Sequence, residues 1–152
     1  VSDRALAFSS ADALADFGAA LGAKLRPGDV ITLTGGLGAG KTTLARGLLR
    51  GLGHEGDVPS PTFAILQGYE PPETRLPVGH VDLYRIEDTG DLSELGLDEW
   101  LEDGALAIEW PDRLAGRYNA IALALQIDIL ADGTRRLTAR VPRVWESRWP
   151  VT

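Results

Sequence analysis

Cysteine is missing from this chain of 152 residues. That excludes a disulfide framework and a thiolate metal site, and it is compatible with a reducing compartment. Methionine is absent as well, the first residue being Val1. Long apolar runs are lacking. The longest uninterrupted one is Ala120 to Leu125, far below the roughly 20 residues that span a bilayer. No basic segment followed by an apolar stretch opens the chain, so a cytoplasmic protein without membrane association is expected. Positive charge is scarce too. The formal charge is −7, which denies the chain a broad electrostatic attraction to nucleic acid. Lysine is rarer still: of fifteen basic residues only Lys24 and Lys41 are Lys. There is no repeat and no low-complexity linker. A chain of this length buries about 68–70% of its unfolded surface as one domain, so residues 1–152 are read as a single unit without staples.

The apolar pattern predicts a mixed α/β succession. Arg4 to Phe8 fits a short strand. Ser9 to Lys24 fits a helix with Ser9 as N-cap and Leu14, Phe17, Leu21 and Leu25 on one face. Val30 to Thr34 is a β-branched run bounded by glycine, read as a buried strand. Lys41 to Leu52 reads as a helix on Leu44, Leu48 and Leu52, ended by Gly53. Phe63 to Tyr69 and Val78 to Tyr84 read as strands joined by the Pro71-Pro72-Glu73-Thr74 turn. Asp91 to Asp103 is acidic and helical in two pieces around Gly96. Ala105 to Trp110 is a further strand. A late hairpin follows, alternating from Ile121 to Ile129 and from Leu137 to Val141, with Asp132-Gly133 at its turn. The fold class expected is α/β: a three-layer domain with a mixed sheet and a C-terminal antiparallel hairpin.

Between the second strand and second helix lies Gly35-Gly36-Leu37-Gly38-Ala39-Gly40-Lys41-Thr42. It fits G-x-x-x-x-G-K-[ST] at every position. Small residues let successive backbone N–H groups turn inward around phosphate oxygens, and the following helix aims its N-terminus at the same point. Lys41 reaches β- and γ-phosphates as a compact charge, the Thr42 hydroxyl suits magnesium, and Thr43 can hydrogen-bond near the α-phosphate. At this chain's composition a chance match is expected roughly three times in a thousand such chains, so the loop is read as a phosphate site and the domain as P-loop NTPase-like. No Asn-Lys-x-Asp element for guanine exists, Asn119 being the sole Asn. The ligand expected is ATP with magnesium.

Such a loop needs a second magnesium anchor and a group that positions water. Two apolar strands end in acids: Ala105 to Ile108 in Glu109, and Val78 to Val81 in Asp82. Burying a lone carboxylate is costly, so each suggests a cation or donor nearby. Ser60-Pro61-Thr62 is either a γ-phosphate sensor or an ordinary rigid turn. The acidic residues of Asp91 to Asp103 suit a solvated helix face better than a docking face. His80 alternates with Asp82 and is read as structural rather than catalytic. Trp100, Trp145 and Trp149 are read as packing.

The ordered set GGLGAGKTT, SPTF, HVDLYR, ELGL and IEWP resembles the bacterial TsaE family, ATPases required for threonylcarbamoyladenosine modification of tRNA. The similarity runs from about Ser9 to Arg140. It implies that Gly38, Ala39, Gly40, Lys41, Thr42 and Thr43 bind ATP, that Thr42 and Glu109 hold magnesium, and that Asp82 is a second essential acid. Thr62 would belong to a switch-like loop. Trp110, Ala11 and Arg135 would approach the nucleotide. The implied partners are the TsaD and TsaB proteins, with tRNA met only through them. Hydrolysis would support their repeated turnover and be weak without them. The family usually carries Asp or Asn where this chain has Gly36, which removes a possible brace of the loop. Two other activities fit the same loop: a small-molecule kinase, although the arginines are scattered with only Arg135 and Arg136 adjacent, or a non-hydrolytic module whose ATP fixes its shape.

Overall fold

A computed structural model describes residues 2–36, 38, 40–56, 58, 66–84 and 94–149. Its strands are β1 (Ser2–Phe8), β2 (Val30–Thr34), β3 (Leu66–Tyr69), β4 (Val78–Asp82), β5 (Ala105–Glu109), β6 (Ala122–Ile129) and β7 (Arg135–Val141). They form one sheet in the order β1-β7-β6-β2-β5-β4-β3. The central strands β6, β2, β5 and β4 run parallel, whereas β1, β7 and β3 pair antiparallel. An α/β fold with a mixed sheet and a late hairpin is therefore what the chain adopts. The parallel strands all end at one edge of the sheet, where Thr34, Asp82 and Glu109 lie.

The helices are α1 (Ala11–Ala23), α2 (Lys41–Gly51) and α3 (Leu97–Asp103). Leu14, Phe17 and Leu21 of α1 and Leu44 and Leu48 of α2 share one apolar core with Ile31, Leu33, Leu123 and Leu125 of the sheet. Strand alternation sends Val30, Val81, Leu106 and Ile108 to the opposite face, where they cluster with Leu97 of α3 and Leu114. Trp100 lies across Gly68 and Gly79 on that face. Trp145 and Trp149 are buried in the first core.

Several element ends differ from the sequence reading for local reasons. Helix α1 is capped by Ser10, not Ser9: the Ser10 hydroxyl accepts the Ala13 amide at 3.1 Å, satisfying one of the free donors of the first turn. Strand β4 stops at Asp82, short of Tyr84, because the Asp82 carboxylate accepts the Tyr84 amide at 2.9 Å and turns the chain. Strand β5 stops at Glu109 because Trp110 adopts a φ of 59°. The early part of the expected Phe63 strand and of the Asp91 helix lies outside the described residues.

Helices α1 and α2 are parallel and very close. Gly18 abuts Leu44 and Gly47, and four residues on Gly22 abuts Leu48 and Gly51, so both chains advance in the same direction. A Cβ on Gly22 would stand 2.1 Å from the Leu48 carbonyl oxygen, and one on Gly47 2.2 Å from that of Ala15. Only glycine permits this approach. The consequence for the site is that both helix N-termini point to the same edge, at the C-terminal ends of the parallel strands.

The other end of α1 is held by two guanidinium groups. Arg75 donates to the carbonyls of Gly22 and Leu25 at 3.0 and 3.1 Å. Arg148 donates to the Lys24 carbonyl at 2.9 Å and grips Asp29 through both oxygens, at 2.6 and 3.1 Å. Cations suit a helix C-terminus, where carbonyls lack partners. The Arg148 guanidinium also stacks 3.8 Å over the Trp145 ring, and Trp149 meets Phe17 edge-on at 5.5 Å. The Trp-rich tail thus fastens α1 to the sheet.

Three substitutions check this frame. Arg148→Ala strands a buried Asp29 and is expected to lower urea-unfolding stability by about 3–5 kcal/mol, whereas Arg50→Ala, which breaks an exposed pair with Asp16, is expected to cost at most about 1 kcal/mol. Gly47→Ala is expected to lower stability by about 1–3 kcal/mol through overpacking, against the ordinary gain from alanine in a helix.

Candidate active site

Strand β2 delivers the chain into the glycine loop. Gly38 and Gly40 hold φ of 78° and 117°, in the left-handed region that side chains resist. Leu37 and Ala39 lie outside the described residues. A Cβ on Gly36 or Gly38 would meet nothing within 4 Å, so the loop borders open space, and no bulk stands where a brace from position 36 would lie. Helix α2 then begins at Lys41 with Gly40 as its cap and no side-chain cap. Its first N–H groups therefore keep their affinity for an anion.

Lys41 is only 6% exposed. Its ammonium donates to the Gly35 carbonyl at 2.7 Å and lies 3.9 Å over the Trp110 ring. Burial pulls its pKa below the ordinary lysine value, while the charges of Glu109 and Asp82 act in the other direction. The cation is thus stripped of water and kept by one carbonyl, one aromatic face and two carboxylates. The left-handed backbone at Trp110 turns the indole over Lys41, and Tyr84 packs on it at 4.9 Å.

The two acids come from register. Asp82 and Glu109 are direct partners on β4 and β5, and Leu33 of β2 pairs with Glu109 on the other side. Alternation puts His80, Asp82 and Glu109 on the face covered by α2. Glu109 is 3% exposed and His80 fully buried; the His80 Nε2 and Glu109 Oε2 are 2.7 Å apart. Asp82 is half-buried and held by the Tyr84 amide. Thr42 and Thr43 are half-buried on the first turn of α2.

Arg135, the first residue of β7, reaches the loop as well. Its Nε is buried with no hydrogen-bond partner among the described residues, and a Cβ on Gly40 would stand 3.8 Å from it. Ala11 borders a cleft of about 1010 Å³ together with Asp12, Thr43, Arg46 and Gly47. The parallel helices bring Ala11 there. The structure therefore gathers Gly38, Gly40, Lys41, Thr42, Thr43, Asp82, Glu109, Trp110, Arg135 and Ala11 at one end of the sheet. Ala39 and Thr62 lie outside the described residues. The sequence reading missed the His80–Glu109 contact and the Gly18, Gly22, Gly47, Gly51 packing. The glycine pairs did leave a signal, a four-residue spacing in each helix.

These side chains suit a phosphate chain with a divalent cation. A desolvated ammonium, uncapped helix amides and an Arg135 donor with no partner among the described residues suit an anion. Among the described residues no group of three or more His, Cys, Asp or Glu could hold a metal alone. Glu109 with Thr42 would instead share a cation with phosphate oxygens, as magnesium is ordinarily held.

A family model, described as threonylcarbamoyl adenosine biosynthesis protein TsaE, matches residues 8–138. The chain belongs to the TsaE family. A protein of Treponema pallidum called tRNA threonylcarbamoyladenosine biosynthesis protein TsaE is 36% identical over 130 residues, 85% of this chain and 94% of that protein. One of Bacillus subtilis with the same name is 40% identical over 114 residues, 74% of this chain and 70% of that protein. The crystal structure of Bacillus subtilis YdiB superposes with a TM-score of 0.81 at 30% identity, over 97% of this chain and 91% of that one. No helix of this TsaE-family chain, among the described residues, is long and apolar enough to cross a membrane.

Lys41 gives the site a pH signature. Its folded pKa lies below 10.5, so between the two values the unfolded chain holds a proton the folded chain has released. This group therefore makes stability rise with pH across that window. Lys41→Met removes the buried cation, and its urea midpoint relative to the unsubstituted chain is expected to be highest at neutral pH and to decline toward about pH 10.

Proposed function

We propose that this TsaE-family chain binds ATP with magnesium and hydrolyses it, within a single three-layer P-loop domain. The observation that carries the reading is the buried Lys41 ammonium beside uncapped helix amides, with Glu109 facing it from β5. The amides of Gly38 to Thr43 wrap the phosphates, and Lys41 leaves the Gly35 carbonyl for the β- and γ-oxygens. Thr42 and Glu109 would hold magnesium, and the ion would neutralise negative charge on the phosphate chain. Asp82 is the second essential acid, in the magnesium shell or orienting water, and the Arg135 donor finds an acceptor on the phosphate chain. Trp110 closes over the site, and Ala11 and Thr43 border the cleft that takes the nucleoside. Thr62 is assigned to the switch-like loop on resemblance alone.

By its family the chain acts in forming threonylcarbamoyladenosine in tRNA; in this reading it works together with TsaD and TsaB and meets tRNA only through them. ATP turnover resets that complex. Hydrolysis by the chain alone is weak when a partner must order part of the site. Product analysis separates this from a kinase: the γ-phosphate appears as inorganic phosphate and no metabolite is phosphorylated.

Two substitutions test the roles. Lys41→Ala is expected to weaken ATP binding at least about tenfold by calorimetry, in line with the loss of a charge-assisted contact. Glu109→Ala is expected to keep weak nucleotide binding but to abolish phosphate release in the assembled complex. Normal hydrolysis by that variant would remove Glu109 from the mechanism.

A further inference from the structure

His80 is a polar side chain in largely apolar surroundings. It is fully buried on β4, beside a cavity of about 10 Å³ lined by Leu25, Ile31, Leu48, Leu49 and Val78. An apolar side chain would suit such surroundings, since a buried polar pair is often no more stable than an apolar one. Among the described residues its polar contact is Glu109, diagonally across the β4–β5 register, at 2.7 Å. The other ring nitrogen, Nδ1, has no partner among the described residues.

That asymmetry assigns the donor. With the proton on Nε2, the ring donates to the Glu109 carboxylate and leaves only an unpaired acceptor behind. With the proton on Nδ1, a buried N–H has no acceptor and two lone pairs face one another, which is costlier. His80 Nε2–H therefore grips Oε2 of Glu109. The contact fixes the carboxylate through Oε2; Oε1 is the oxygen this reading offers to a cation.

We propose that His80 is a positioning residue: it fixes the Glu109 carboxylate for the divalent cation without touching cation or nucleotide. The proposal rests on the reading of Glu109 as a metal ligand. Carboxylates and imidazoles that orient ligands from behind commonly tune metal affinity by about 10–100-fold.

The test uses the full chain with a non-hydrolysable ATP analogue. Nucleotide affinity is read by calorimetry in EDTA, and Mn2+ binding to the binary complex by electron paramagnetic resonance. His80→Gln and His80→Asn form the decisive pair, because glutamine places its amide near the Nε2 position and asparagine near Nδ1. Nucleotide affinity in EDTA is expected to be unchanged in both. Mn2+ binding is expected to weaken about 10–100-fold in His80→Asn and His80→Leu and to be largely restored in His80→Gln. Equal Mn2+ affinity in all three, or equal loss in both amides, would overturn the positioning role while a Glu109→Ala control still loses metal. If Glu109→Ala itself binds Mn2+ normally, the reading of Glu109 fails and the proposal falls with it. The two amide variants are close in volume to the imidazole, so the comparison stands even where His80→Leu does not fold.

Discussion

A single buried cation organises this end of the molecule. The Lys41 ammonium is out of water, yet its contacts are provisional: one carbonyl of its own loop, an indole face, and two carboxylates that act through charge. Desolvation raises the strength of every electrostatic interaction around it. It also makes the group costly to keep in the absence of a stronger anion. The rest of the fold serves to hold that charge still. Strand β2 anchors Gly35, the glycines let α2 begin immediately behind the loop, and Trp110 closes the third side.

The helices supply the rigidity. Because Gly18 and Gly22 meet Gly47 and Gly51 backbone to backbone, α1 and α2 advance as one parallel pair. Two N-termini then face the same edge, and the cleft beside Ala11 and Thr43 follows from that packing. At the far end Arg75 and Arg148 take up the carbonyls of α1. Beside the site itself lie the positive φ of Trp110 and an Arg135 Nε with no hydrogen-bond partner among the described residues.

Local chemistry was legible in the sequence and tertiary register was not. The strand–loop–helix unit could be read because glycine spacing, Lys41 and the recurring leucines of α2 each signal within a dozen residues. Glu109 and Asp82 could be read as strand-end acids for the same reason. Their adjacency depends on β4 pairing with β5, which no local pattern encodes, and so the link from His80 to Glu109 was invisible although both residues had been noticed. The Ser9 cap failed by one residue because Ser9 and Ser10 are chemically equivalent and tertiary packing chose between them. The tail tryptophans gave no hint of Arg148, whose role is set by Asp29, more than a hundred residues earlier in the chain. Thr62 and Ala39 lie outside the described residues, so their roles still stand on resemblance to the TsaE family.

The most direct test is a crystal structure of the chain with a non-hydrolysable ATP analogue and Mn2+, the metal placed by its anomalous signal. Lys41 Nζ should move from the Gly35 carbonyl to within about 3 Å of a β- or γ-phosphate oxygen, with Mn2+ between the phosphates and Glu109. Nucleotide bound elsewhere, with Lys41 still on Gly35 and Glu109 without metal, would contradict the account.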